Sequence, residues 1–346
     1  MFRGSMGRAV LAAGLAVAAA LLGGAPGATR AAQKHSPHQA QGGGIVIELD
    51  NEFIKKYENR AAIESEFTIV KLSGVHPPAS DGEIHIGGWA DEAGLATVAE
   101  VMNAATTGTE PRKAFAKALA DEKKVTVAGA WRIWCEHGGT TPQLQAKGPK
   151  PSGTLPGAAP SNPDHVFEIH PVTSVKVGAQ VTSATKAIGA TPGFTPHDAS
   201  KAFLQSYEKL SSKITARPGD RTRIVTEAAA FNFTQFVFRF DEDVHQLEDG
   251  HAAIGSIFDT EGELLVRSRR VVFVAGTAAD DTAKAAKKGD RLQLIGIPRV
   301  SLKLVKYRLD HKDELETAHG TDPLDWRLPY EMIAVSAVPV EGNDDE

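Results

Sequence analysis

Apolar and polar residues alternate through Glu83 to Trp89, with Ile84 and Ile86 on one face and Glu83 and His85 on the other. A period of two is the signature of a strand with unlike faces. The same alternation runs from Val125 to Cys135. There Val125, Val127, Trp131, Ile133 and Cys135 share a face with Gly129, and Thr126, Arg132, Trp134 and Glu136 share the other. In Val166 to Val172, Phe167 and Ile169 oppose Glu168 and His170, and Pro171 predicts an edge strand or a strand end. Asn59 to Leu72 adds a strand carried by Ile63, Phe67, Ile69 and Val70, and Ile45 to Glu48 a short one. Leu95 to Ala104 and Pro111 to Lys124 read as helices. Pro111 suits a first turn, and Lys123 and Lys124 suit the negative end of the dipole.

The second half opens on a predicted helix from Ala199 to Ile214, with Phe203, Leu204, Tyr207, Leu210 and Ile214 at helical spacing and Thr195 or Asp198 as cap. Phe231, Phe233, Phe236, Phe238 and Phe240 form an aromatic stripe, read as core. Ala252–Phe258 and Leu264–Ala275 read as a hairpin across Asp259–Glu263, and Asp280–Lys288 as a short polar helix or loop. Arg291–Leu309 reads as strand-rich. Residues 138–163 and 178–200 form long loops of the kind that often carry function. Val125-Thr-Val-Ala-Gly-Ala-Trp-Arg-Ile-Trp134 also matches Leu292-Gln-Leu-Ile-Gly-Ile-Pro-Arg-Val-Ser301, pairing Gly129 with Gly296 and Arg132 with Arg299. This short repeat predicts two related units. Strands with helices inserted before the late ones point to the five-stranded Greek-key barrel of the oligonucleotide/oligosaccharide-binding (OB) type. The expected fold is mainly β with inserted helices (α+β), two OB-like barrels in tandem. The first spans 45–178 and the second, with its N-terminal helix, 179–340; an acidic tail follows at 341–346.

Arg3 and Arg8, the apolar run Ala9–Leu22 and the small residues after it read as a signal peptide over 1–32, followed by a leader at 33–44. The run is shorter than the ~20 residues a membrane span needs. A secreted or periplasmic protein without a span in its mature chain is expected, with an uncleaved anchor as the alternative. Cys135 is the only cysteine, so no intramolecular disulfide can form. A net charge of −5 argues against a globally basic nucleic-acid binder. The chain has no nucleophile elbow, phosphate-binding loop or dinucleotide fingerprint.

Candidate chemistry gathers where three strands each carry a carboxylate and an imidazole: Glu83 with His85, Glu136 with His137, and Glu168 with His165 and His170. One reading is a metal site with His85, His137 and His170 as ligands and Glu83 or Glu168 as base or supporting group. Imidazole and carboxylate suit zinc, or manganese and iron less specifically. Such an ion can activate water for hydrolysis of a phosphodiester or ester. A second reading pairs these groups with one another and with backbone. A third offers Trp89, Trp131, Trp134 and Arg132 as a stacking surface for a polar small ligand, a saccharide or single-stranded nucleic acid. The working expectation is an exported binding or structural module, with a metal-dependent hydrolase as the alternative.

The segments Asp81-Gly-Glu-Ile-His85, Gly129-Ala-Trp-Arg-Ile-Trp-Cys-Glu-His137 and Glu168-Ile-His-Pro-Val172 together resemble a pattern of uncharacterised bacterial secreted proteins. Those carry Asp-Gly-Asp-x-His, a later strand ending in His, and a closing Glu-Ile/Leu-His-Pro-Val. The resemblance covers about residues 60–177 and implies a small OB-like barrel without a stated activity. Glu83 stands where Asp is usual, which keeps the carboxylate.

Overall fold

The computed structural model describes residues 44–146, 155 and 161–340. The signal-peptide, leader and tail expectations lie outside them, as does most of the middle of the 138–163 loop. No helix among the described residues is long and apolar enough to cross a membrane.

Two closed five-stranded barrels dominate the fold. The first is built from β1 (Ala62–Leu72), β2 (Ile84–Ala90), β3 (Leu95–Val101), β4 (Val125–Ile133) and β5 (Phe167–Val177), with helix α1 (Thr109–Ala120) between β3 and β4. Its strands neighbour one another in the order β1-β2-β3-β5-β4 and close through β4–β1; only β3–β5 is parallel. The second uses β6 (Thr234–Phe240), β7 (Gly250–Phe258), β8 (Leu264–Val274), β9 (Arg291–Val300) and β10 (Tyr330–Pro339), with helix α2 (Ala278–Ala283) between β8 and β9. Its order is β6-β7-β8-β10-β9, closing through β9–β6, and again only one pairing, β8–β10, is parallel. The two barrels therefore share one topology, as the short repeat predicted. Their glycines agree as well. A Cβ on Gly88 would lie 2.4 Å from the Thr68 carbonyl and 2.5 Å from the Phe67 ring. One on Gly255 would lie 2.2 Å from the Arg239 carbonyl and 2.5 Å from the Phe238 ring. Each marks the point where an interior phenylalanine lies flat beneath the neighbouring strand.

A third sheet joins Ile45–Asp50 to Arg221–Thr226, Ser211–Arg217, Asp325–Arg327 and Gln143–Leu144, so it takes strands from both halves of the chain.

Four expectations are corrected. Leu95–Val101 is a strand, not a helix. Leu95, Ala99 and Val101 line the first barrel while Glu100 points outward, and ladders to β2 and β5 on both sides override the helix propensity of its alanine and leucine. The helix expected to reach Ile214 stops at Gln205, and Ile214 lies in the strand Ser211–Arg217, where sheet pairing wins. Arg291–Leu309 divides at Ser301, whose hydroxyl caps the helix Leu302–Asp310 by accepting from the Leu304 amide. Pro171 is inside a central strand. Its missing N–H falls where the β4–β5 register skips between Gly129 and Trp131, so no ladder bond is lost there; the His170–Pro171 peptide bond is cis. The aromatic stripe is core at Phe233, Phe236, Phe238 and Phe240, although Phe231 and Phe233 precede the strand in left-handed backbone conformations.

Candidate functional site

Alternation directs Ile84, Ile86, Ile133, Phe167 and Ile169 into the first barrel and His85, Glu100, Arg132, Glu168 and His170 onto its outer surface. That outer surface is not exposed to water, because the outer surface of the second barrel packs against it. Arg132 and His170 are 0% exposed, Glu168 3%, Glu83 2% and Glu100 5%.

An arginine latch joins the barrels in both directions. Arg132 donates from Nε to the Pro298 carbonyl at 2.8 Å, and Arg299 donates from Nη1 to the Trp131 carbonyl at 3.0 Å. These are matching positions in the repeat, so the contact is close to a two-fold exchange. Each arginine also faces a glutamate on the neighbouring strand of its own barrel: Arg132 opposite Glu168 and Arg299 opposite Glu331. Arg132 donates to Glu168 Oε2 and to the Asn232 side chain. Arg299 donates to Glu331 Oε1 at 2.7 Å, and its guanidinium lies 3.6 Å from the centre of the Trp131 ring. Arg270 adds a second cation to Glu331 at 2.8 Å.

Beyond the latch the barrels diverge. In the first, His170 stands between three carboxylates. Its Nε2 lies 3.0 Å from Glu83 Oε1, and its Nδ1 lies 3.0 Å from Glu100 Oε2 and 3.3 Å from Glu168 Oε2. His85 faces Glu100 across β2–β3, with Nε2 3.6 Å from Glu100 Oε1. His165 reaches Glu168 Oε1 at 3.3 Å. The matching positions in the second barrel are Gly250 for Glu83, Ala252 for His85, Val272 for Glu100 and Ile333 for His170. Ala252 faces Val272 as His85 faces Glu100, and Ile333 follows Glu331 by two as His170 follows Glu168. Ala252, Val272 and Ile333 belong to an apolar cluster.

Burial penalises charge throughout this cluster, and the neighbours decide where it survives. Burial pushes the Glu100 carboxyl well above the carboxylate range, against the pull of His170. Burial acts against the His170 cation too, but the charges of Glu100 and Glu83 and the hydrogen bonds to Glu168 and Glu83 overcome it and raise its pKa well above the imidazole range. Burial would also raise Glu168, yet Arg132 and the two histidines hold it well below the usual range. Burial and the nearby His76 push His85 down to about 3, so its ring is neutral. His170 and Glu100 both bind protons more tightly folded than unfolded. The stabilisation from His170 is complete below its unfolded value of 6.5 and is lost as pH rises through the folded one. Glu100 acts in the same direction above its ordinary 4.5. Metal-free protein is therefore expected to melt progressively lower as pH rises above about 6.5, and Glu100→Gln should flatten that slope. A melting temperature that rises over this range would contradict the protonation scheme.

Among the described residues, three overlapping sets of side chains could hold a metal ion: His76, Asp81 and His85; Glu83, His85 and Glu100; and Glu100, Glu168 and His170. In each, the ligand atoms lie within 4.8 Å of one another. Of the residues expected from sequence, Glu83, His85, Glu168 and His170 come together. His137 does not join them; it stacks on His165 at 5.2 Å, with its Nε2 3.9 Å from Glu136. Glu100 was missed because its segment reads as a helix, and a strand reading would have set it opposite His85. The three tryptophans expected from sequence offer no open stacking surface. Trp89, Trp131 and Trp134 are 8%, 0% and 1% exposed, because their faces pack into barrel and interface, and Arg132 is occupied by the latch. Cys135 is buried, and burial pushes its thiol up to about 12, which suits packing and not catalysis.

No family model and no curated protein matches the chain. A solved structure described as "Structural mimicry for functional antagonism" aligns with 71% of this chain and 90% of its own at 12% identity and a TM-score of 0.17, a likeness too low to bear on fold or function.

Proposed function

We propose that the protein is an exported binding module in which the second barrel is scaffold and the first carries a divalent metal site formed by Glu83, His85 and Glu100. The observation that carries this reading is the comparison between the barrels. Both keep the Arg–Glu latch, so the latch answers a need of the fold. Only the first adds Glu83, His85, Glu100 and His170, where the second makes do with Gly250, Ala252, Val272 and Ile333. The fold does not require these buried polar groups, and buried polar groups are costly unless they are matched.

The donor chemistry fits such an ion. Two carboxylates and one neutral imidazole make a borderline-hard set suited to zinc or manganese. His170, with its nitrogens on Glu83 and on Glu100, would orient both carboxylates, the supporting role that groups behind metal ligands commonly take. In the metal-free cluster Arg132 and the His170 cation offset the carboxylates, and a divalent ion would take the place of the protons held by His170 and Glu100. Glu168, held by Arg132, remains part of the latch. The hydrolase alternative asks Glu83 or Glu168 to act as base towards water. Both are almost fully buried and already paired with His170 or Arg132, which favours binding over turnover.

The test is the metal content of the mature chain purified without chelator or affinity tag. About one zinc or manganese per chain is expected, falling to none in His85→Ala and Glu100→Gln. Absence of metal, together with no thermal shift on adding zinc or manganese, would sink the proposal. Ester or phosphodiester hydrolysis that vanishes with the metal would instead establish the hydrolase.

A further inference from the structure

A cavity of about 180 Å³ opens beside the cluster, at the seam between the barrels. Three parts of the chain wall it: Asp81 and Met102 from the first barrel, the 189–196 segment with Phe194, and Phe233, Gln235 and Ile295 from the second. Most of this lining is apolar. Asp81 is the one charged residue in it among the described residues, with no lysine or arginine to offset it.

The walls are held in place. The loop that carries Phe194 is tied to the first barrel, since Thr191 donates from Oγ1 to the Asp81 carbonyl at 3.1 Å and Asn103 donates from Nδ2 to the Ala187 carbonyl at 2.8 Å. Phe233 has φ +53, a left-handed conformation unusual for a bulky residue, which persists only where its surroundings impose it. Its neighbour Asn232 is gripped on both sides, accepting from Arg132 and donating to Glu136 at 2.8 Å. The outcome is an aromatic corner. The rings of Phe194 and Phe233 meet edge to face at 5.6 Å, and Phe233 lies 5.5 Å from His170. Asp81 Oδ1 accepts from the Glu83 amide at 3.0 Å and from His76, whereas Oδ2 has only the 3.0 Å contact with His76 Nδ1. A carboxylate oxygen has two lone pairs, so Oδ2 keeps room for another donor.

We propose that this cavity binds a small organic cation, an aryl- or alkylammonium ion about the size of one ring with a short chain, with its ammonium on Asp81 and its apolar body against Phe194 and Phe233. A cavity of roughly 150 Å³ is enough for benzene. Aromatic faces attract cations, and the Asp81 carboxylate, the one charged group lining the cavity among the described residues, with a lone pair of Oδ2 left free by His76, favours a cation over an anion. The proposal goes beyond the metal reading and does not depend on it.

Calorimetric titration of the intact, chelator-treated mature protein with phenethylamine and benzyltrimethylammonium tests it, with 2-phenylethanol and phenylacetate as neutral and anionic controls. At least one of the cations is expected to saturate a single site, the alcohol to bind about tenfold more weakly, and phenylacetate not to bind. Asp81→Asn should bring the cation to the level of the alcohol. Ala190→Phe, which fills the cavity from the loop, should abolish binding while leaving the thermal melt unchanged. No saturable binding of either cation to folded wild-type protein, equal binding of the alcohol, or full binding retained in Ala190→Phe would overturn it. The measurement is made without metal, so a failed metal site leaves this result standing, and a failed cavity leaves the metal result standing.

Discussion

Arg132→Met is expected to lower the stability of the folded chain by about 3–5 kcal/mol, the usual cost of removing one partner from a buried ion pair. Arg132 is fully buried and has three duties: it neutralises Glu168, it satisfies the Pro298 carbonyl of the other barrel, and it holds Asn232. Methionine fills much of the volume but performs none of them, so Glu168 is left in the interface with only His165 and His170 beside it. Arg299→Met is the matched experiment. Glu331 would still have Arg270, but the carbonyls of Ala61 and Trp131 would lose the Arg299 guanidinium, and that of Arg60 would keep only the Trp131 indole N–H. Urea unfolding followed by tryptophan fluorescence measures both. The penalty of Arg132→Met should shrink by about 1–3 kcal/mol when Glu168→Gln is added, because the orphaned charge is then gone. A loss below about 1 kcal/mol, or no coupling with Glu168, would mean that the latch does not hold the barrels.

The second large effect comes from giving the first barrel the residues of the second. His85→Ala, Glu100→Val and His170→Ile copy Ala252, Val272 and Ile333, and Glu83→Ala removes the carboxylate that would be left without His170, while Glu168 keeps Arg132. The combined variant is expected to fold with stability unchanged or raised by up to about 4 kcal/mol, since replacing a whole buried ionic group by apolar side chains is often neutral or favourable. It should bind no metal. His170→Ala alone should behave in the opposite way, costing about 3–5 kcal/mol, because Glu83, Glu100 and Glu168 would crowd together without their shared cation. Melting curves and metal analysis of the two proteins decide the matter. If the combined variant fails to fold, the cluster serves the architecture, and the argument from the second barrel falls with it.

Much of the candidate site was legible before the structure. Glu83 with His85, and Glu168 with His170, were set outside the barrel core by period-two alternation alone, and the match of Gly129 and Arg132 to Gly296 and Arg299 foretold the shared topology. Local pattern failed where it speaks with two voices. Leu95–Val101 has alanine and leucine, which favour helix, beside Thr97, Val98 and Val101, which favour strand. The ladders to β2 and β5 decided it, and with it the place of Glu100. His137 shows the reverse error: the strand expected to run up to it ends at Ile133, and the chain bends over residues 135–137 and carries its ring to His165.

The sequence by itself determined the elements whose cause is local: which faces of β2, β4 and β5 are apolar, and that Cys135 has no partner for an intramolecular disulfide. Tertiary structure alone decided that the outer surface of the first barrel is buried. Alternation tells one face from the other but not what covers each, and strands remote in sequence supply the cover. Packing of the second barrel against that surface turned Glu83, Glu100, Glu168 and His170 from solvated side chains into a buried cluster, in which burial and charge set the protons of Glu100, Glu168 and His170. It also closed off the tryptophans and left the cavity beside Asp81 at the seam.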